Sequence, residues 1–122
     1  MKTVSPPITT RTAAFEAALS EASLRLAAGD AAAAMQLLER AHVLGQNDFG
    51  PHLRVHLRML HVGWRSHDWH EVRGQVLRIA LVPLGHLLGR LPRGNTGAAS
   101  VSAFATMAIA PDIERLLDNK QS

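Results

Sequence analysis

A chain of 122 residues has room for one domain with one modest core and excludes an assembly of several. Hydrophobic residues at 47% and charged residues at 19% exclude wholesale disorder, and the lack of cysteine excludes disulfides and thiolate metal sites. The formal charge of +3 comes from scattered arginines, not from a basic stripe interleaved with aromatics, which disfavours nucleic acid as a partner.

Residues 1–9 read as a flexible, proline-containing lead-in, residues 10–118 as a single helical domain and residues 119–122 as a tail. Met1 to Thr10 lack the apolar core of a secretory signal. The longest apolar stretch, Ile79 to Leu88, is too short to cross a bilayer. A cytoplasmic protein without membrane contact is the expectation.

Thr10 or Thr12 can cap a first helix running to about Ala28, with an apolar stripe of Phe15, Leu19, Ala22 and Leu26 closed by Gly29. Asp30 caps a second helix, about Ala31 to Leu44, striped by Ala34, Leu37, Leu38, Ala41 and Leu44. Gly45 stops it, and Gln46 to Gly50 form a turn. Pro51 suits the first position of a third helix, to about Ser66, with Leu53, Leu57, Leu60 and Trp64 as its apolar period. Asp68 caps a fourth, about Trp69 to Leu88, whose apolar face carries Val72, Val76, Ile79 and Leu87. Pro83 is expected to kink or break that helix. Leu91 to Ala99 reads as an ordered turn, Ser100 to Ala110 as extended or irregular, and Pro111 as the start of a short last helix to about Leu117.

The fold class is therefore all-α: a compact four-helix arrangement of two antiparallel hairpins with an ordered C-terminal loop and a short last helix. The two interhelical joints, near Gly29-Asp30 and His67-Asp68, lie about 38 residues apart, close to the tetratricopeptide period.

Seven histidines stand out, six of them between positions 42 and 70. His52 and His56, four apart, project from one face of the third helix, and Glu39 and His42, three apart, share a face of the second. A short connection makes these helices antiparallel neighbours. His42 and His52 then sit level near the turn, with Glu39 and His56 one turn further in. Three imidazoles and a carboxylate would suit zinc, iron, copper, nickel or manganese. The alternative is a structural polar cluster, with Glu39 paired to an arginine. His61, His67 and His70 gather near the second turn, where a further, adventitious site is conceivable, and His86 reads as a packing or surface residue.

Glu71, Gln75 and Arg78 share one polar face of the fourth helix. They either orient a ligand or a substrate anion, or form a solvated helix face, the favoured reading. Gly94, Asn95, Thr96 and Gly97 make a tight turn whose amides could cradle an anion, or simply a helix stop with positive-φ residues. No nucleophile elbow or triad is evident.

Ala41-His42-Val43-Leu44-Gly45-Gln46, Pro51-His52 with His56, Asp68-Trp69 with Glu71 and Gly74-Gln75, and Pro92 with Gly94-Asn95-Thr96-Gly97 together resemble a family of small bacterial helical proteins classed as a domain of unknown function. The resemblance spans about Phe15 to Leu117. It implies no activity. It places His42, Gln46, His52, His56, Glu71, Gln75 and the Gly94–Gly97 turn at family motif positions, and leaves His61, His67, His70 and His86 outside them.

Two functional readings remain. One is a metal-binding protein with ligands His42, His52 and His56 and with Glu39 or water fourth, serving storage, sensing, trafficking or hydrolysis. The other is a non-enzymatic helical scaffold for a protein or small-molecule ligand, with Trp64 and Trp69 as anchors. An enzyme acting on an anionic substrate through Arg78 and the Gly94–Gly97 turn is a third, less supported reading. Oligomeric state is not set by the sequence.

Overall fold

The computed structural model describes residues 10–89, 93–99 and 106–118, and these are all helix, turn or irregular chain, with no strand among them. Five helices follow in order: α1 (Arg11–Ala27), α2 (Ala31–Gly45), α3 (Phe49–Arg65), α4 (Trp69–Leu88) and α5 (Pro111–Asp118). α1 packs on α2, α2 on α3, α3 on α4, and α5 on α2. No described helix is long and apolar enough to cross a membrane.

Local chemistry sets the helix starts. The Thr10 hydroxyl accepts from the Ala13 amide at 3.1 Å, Asp30 from Ala33 at 3.0 Å, and Asp68 from Glu71 at 3.2 Å. Each satisfies one of the amide donors that a first turn leaves without an intrahelical acceptor. α3 departs from expectation: it begins at Phe49 with Asp48 at its N-cap, so Pro51 lies at the third helical position. Proline is tolerated there because a first-turn amide has no intrahelical partner to lose. Gly45 is the last residue of α2, and its role is close approach. A Cβ there would come within 2.7 Å of the Phe15 ring.

α4 runs unbroken through Pro83. Pro83 lies on the exposed side of the helix, where water can serve the carbonyl that its ring leaves without a partner. Of the expected connection from Leu91 to Ala110, Leu91, Pro92 and residues 100–105 lie outside the described residues.

The hydrophobic core joins Phe15, Ala18 and Leu19 of α1 to Ala34, Leu38, Ala41 and Leu44 of α2, to Val55, Met59 and Val62 of α3, and to Ile113 of α5. The stripes expected on α1 and α2 largely supply it, though Leu26 and Leu37 are only partly buried. Those expected on α3 and α4 do not. Leu57, Trp64, Val76 and Leu87 are exposed, while α4 buries Glu71, Gln75, Arg78 and Val82. The solvated-face reading of Glu71, Gln75 and Arg78 is thus overturned. The polar face points inward, where Gln75 meets the buried His56.

Candidate metal centre

His42 projects from the last turn of α2, and His52 and His56 from successive turns at the start of α3. All three are buried. Their Nε2 atoms form a triangle: 3.1 Å from His42 to His52, 3.1 Å from His42 to His56, and 3.2 Å from His52 to His56. Each ring turns the same nitrogen toward one point, and each has its other nitrogen engaged outside the triangle.

Two of those outer bonds fix protonation. His42 Nδ1 meets the Asn95 carbonyl, an obligatory acceptor, so His42 carries its proton on Nδ1 and leaves Nε2 a bare lone pair. His56 Nδ1 lies 2.7 Å from Gln75 Oε1. The orientation of that amide is set on its other side, where Nε2 donates to the Gly97 carbonyl at 2.8 Å and the Glu71 carboxylate at 3.2 Å. Both are acceptors, so Oε1 must face His56, and His56 too presents an unprotonated Nε2. His52 Nδ1 shares a 2.9 Å hydrogen bond with Nε2 of His86, from the last turn of α4.

Burial disfavours imidazolium at all three positions. It pushes His42 well below the ordinary histidine value, reinforced by His56 and His52. Burial, with help from His56 and His86, holds His52 at about 3. His56 is lowered mainly by burial, against the Gln75 hydrogen bond that favours its charged form. The positive charge of Arg78 adds to the depression of His42 and His56. The cluster is therefore neutral near pH 7.

The loop over the site contributes backbone. Asn95 supplies its carbonyl to His42 and Gly97 its carbonyl to Gln75, while the Ala99 amide donates to Glu71 at 2.8 Å. Within the loop, the Gly97 amide donates to Asn95 Oδ1, an Asx turn that occupies an amide the anion-cradle expectation would have left free. Gly94 and Asn95 are buried, and Thr96 is half-buried between Asn95 and Gly97.

Of the other residues singled out, Glu39 is half-buried beside Glu71, in a cleft of about 390 Å³ that also touches Asp68. Burial first, and Glu71 second, raise its pKa. Among the described residues the converging ligand atoms are those of His42, His52 and His56, without Glu39. Arg78 is buried on α4, with one guanidinium nitrogen 3.3 Å from the Gly74 carbonyl. Gln46 is buried near the hairpin turn, beside Arg11 and Gly94. His61, His67 and His70 are exposed.

His86 and the Asn95 carbonyl are the contributors that sequence reasoning missed. Counting outward from the α3–α4 turn brings His52 level with Val82, one turn short of His86, so hairpin register gives the neighbourhood of this pair but not the contact. A backbone carbonyl from a loop more than fifty positions away leaves no mark in residue spacing.

No curated protein and no solved structure matches this chain. A family model does match, over residues 9–117 and therefore across the helices, the three histidines and the loop that holds them. By that match the chain belongs to the family described as protein of unknown function (DUF3703).

Proposed function

We propose that this protein binds a transition-metal ion through Nε2 of His42, His52 and His56. The observation that carries the proposal is the triangle of Nε2 atoms with two lone pairs locked inward. A polar cluster built only for stability would pair donors with acceptors. Here Asn95 and Gln75 hold two acceptors against each other, a repulsive arrangement that a shared cation relieves.

The dimensions agree. The centre of the triangle lies about 1.8 Å from each nitrogen, whereas metal–imidazole bonds are about 2.0–2.1 Å. The three imidazoles would hold an ion on one side and would leave further coordination positions to water or an added ligand. Neutral imidazoles favour zinc, copper, iron or nickel; manganese, which prefers carboxylate and water, fits less well. Glu39 stands outside this ligand set. Gln75, His86 and the Asn95 carbonyl orient the ligands, and Glu71 and Gly97 orient Gln75 in turn. Arg78, buried close enough to act on His42 and His56, favours an anionic species at the open positions.

The test is elemental analysis of untagged protein, followed by titration of the metal-free form with zinc, nickel and copper ions. One equivalent is expected to bind and to raise the melting temperature, with the rise abolished in His52→Ala. At a free-metal level 100 times Kd the gain is about 2.7 kcal/mol. An equal response from parent and His52→Ala would sink the proposal.

A further inference from the structure

α3 and α4 carry apolar residues on the side turned away from the core. Phe49, Leu57 and Trp64 on α3, and Trp69, Val76 and Leu87 on α4, are between 47% and 82% exposed. They form one face. At one end the Trp64 and Trp69 rings meet edge to face at 5.4 Å, and at the other the Phe49 ring meets His86 at 5.5 Å. Between these ends the α3 stripe advances from Leu53 through Leu57 and Leu60 to Trp64 in steps of four, three and four, and the α4 stripe from Trp69 through Val72, Val76 and Ile79 to Pro83 in steps of three and four. No Asp, Glu, Lys or Arg falls on either stripe.

Steps of three and four are the spacing of a helix seam that packs against another helix nearly parallel to it. Two such seams side by side make half of a four-helix bundle. We infer that this face is the contact surface of a homodimer, in which the α3–α4 hairpins of two copies pack face to face as a four-helix layer.

Area favours a second copy. Large side chains offer about 150–250 Å² each, so the six named residues expose on the order of 600–700 Å² per copy. That is at or above the largest apolar patch of a typical monomer, about 300–600 Å², and close to the roughly 800 Å² per partner of a stable interface. The surface is also suited to self-pairing. A two-fold contact needs one patch complementary to itself, and an uncharged stripe meets its own copy without like-charge repulsion. The three histidines lie on the opposite side of the same hairpin, and the face borders them through His86, which meets Phe49 on one side and His52 on the other.

The test is the mass of the full chain in solution, by light scattering or sedimentation, from 1 to 200 μM. Twice the 13.2 kDa chain mass is expected at the upper concentrations. Both tryptophans of the chain lie on this face, so their emission should shift to shorter wavelength over the same range. Leu57→Glu combined with Val76→Glu should give single-chain mass at 200 μM with helical circular dichroism retained. Leu24→Glu, at an exposed site on α1, should leave the dimer unchanged. A parent of single-chain mass at 200 μM overturns the inference, and so does a dimer that the double variant leaves intact. Single-chain mass together with binding to lipid vesicles overturns it in favour of a membrane surface.

Discussion

The Cα of Gly97 lies directly against the imidazole of His42: a Cβ at that position would fall 2.4 Å from His42 Cδ2. The loop thus approaches the ring as closely as the absence of a side chain allows, which brings the neighbouring Asn95 carbonyl onto Nδ1. Gly97 also has φ of +79°, a region that L side chains rarely adopt. Gly97→Ala is expected to cost about 1–3 kcal/mol from the backbone alone. It should also displace the His42 ring and weaken metal binding, whereas Ala98→Gly should leave affinity nearly unchanged. Calorimetric titration of the two variants checks this, and equal affinities would refute it.

Gln75 tests whether orientation matters apart from ligation. It is fully buried, and its carbonyl oxygen is the acceptor for His56 Nδ1. Gln75→Met keeps the volume and removes the acceptor. Metal affinity should fall about 10- to 100-fold, as is usual when a group behind a ligand is lost. A Met variant with parental affinity would show that His56 orients without help.

His86 offers a parallel test from the other side of the triangle. Its Nε2 faces His52 Nδ1, and only a His52 that keeps its proton on Nδ1 can present a bare Nε2 to the ion. His86→Phe should keep the ring packing against Phe49 while weakening metal binding by about tenfold or more. Unchanged affinity in this variant would mean that His52 holds its tautomer alone.

Acid should destabilise the metal-free protein in a defined window. The folded state holds His42, His52 and His56 neutral, with His52 at about 3, while the unfolded chain takes up protons near the ordinary histidine value of about 6.5. Below that value the unfolded state binds more protons, so stability falls as pH drops below about 6.5, and the His52 share, up to about 1.4 kcal/mol per pH unit, continues toward about 3. Above about pH 7 these groups contribute no slope. Bound metal should make the acid limb steeper, since protons and the ion compete for the same nitrogens. Urea midpoints at pH 8, 6 and 4.5, with and without metal, give the comparison. Rising stability on acidification would contradict the assignment of neutral rings.

A core truncation gives a reference scale. Met59 is fully buried between the hydrophobic core and Gln75, whose amide reaches its sulfur at 3.4 Å. Met59→Ala should cost about 2–5 kcal/mol in urea unfolding. A loss below 1 kcal/mol would mean that this layer repacks freely.

The sequence made some features legible and concealed others for identifiable reasons. Asp30 and Asp68 marked helix starts because an N-cap carboxylate is a local device, readable without knowledge of the rest of the fold. His42, His52 and His56 could be brought together on paper because a short hairpin turn converts sequence distance into height along two helices. The orientation of α3 and α4 was not legible. Leu57, Leu60 and Trp64 recur at helical spacing, and periodicity identifies an apolar face without saying what covers it. The interior was claimed instead by Gln75 and Glu71, which bond to His56 and to the loop over the histidines. Pro83 misled because its effect depends on whether the carbonyl it disables faces protein or solvent.

The Gly94–Gly97 loop serves the histidines with main-chain atoms, and this determines what mutagenesis can see. An alanine scan trims side chains and leaves the carbonyls of Asn95 and Gly97 in place, so apart from the glycines and the Asx turn that Asn95 Oδ1 makes with the Gly97 amide, it would miss what the loop does for His42 and Gln75. Its role would emerge from backbone chemistry. Replacing the Asn95–Thr96 amide by an ester weakens the Asn95 carbonyl as an acceptor without altering a side chain, and would loosen the one contact that holds His42 from behind.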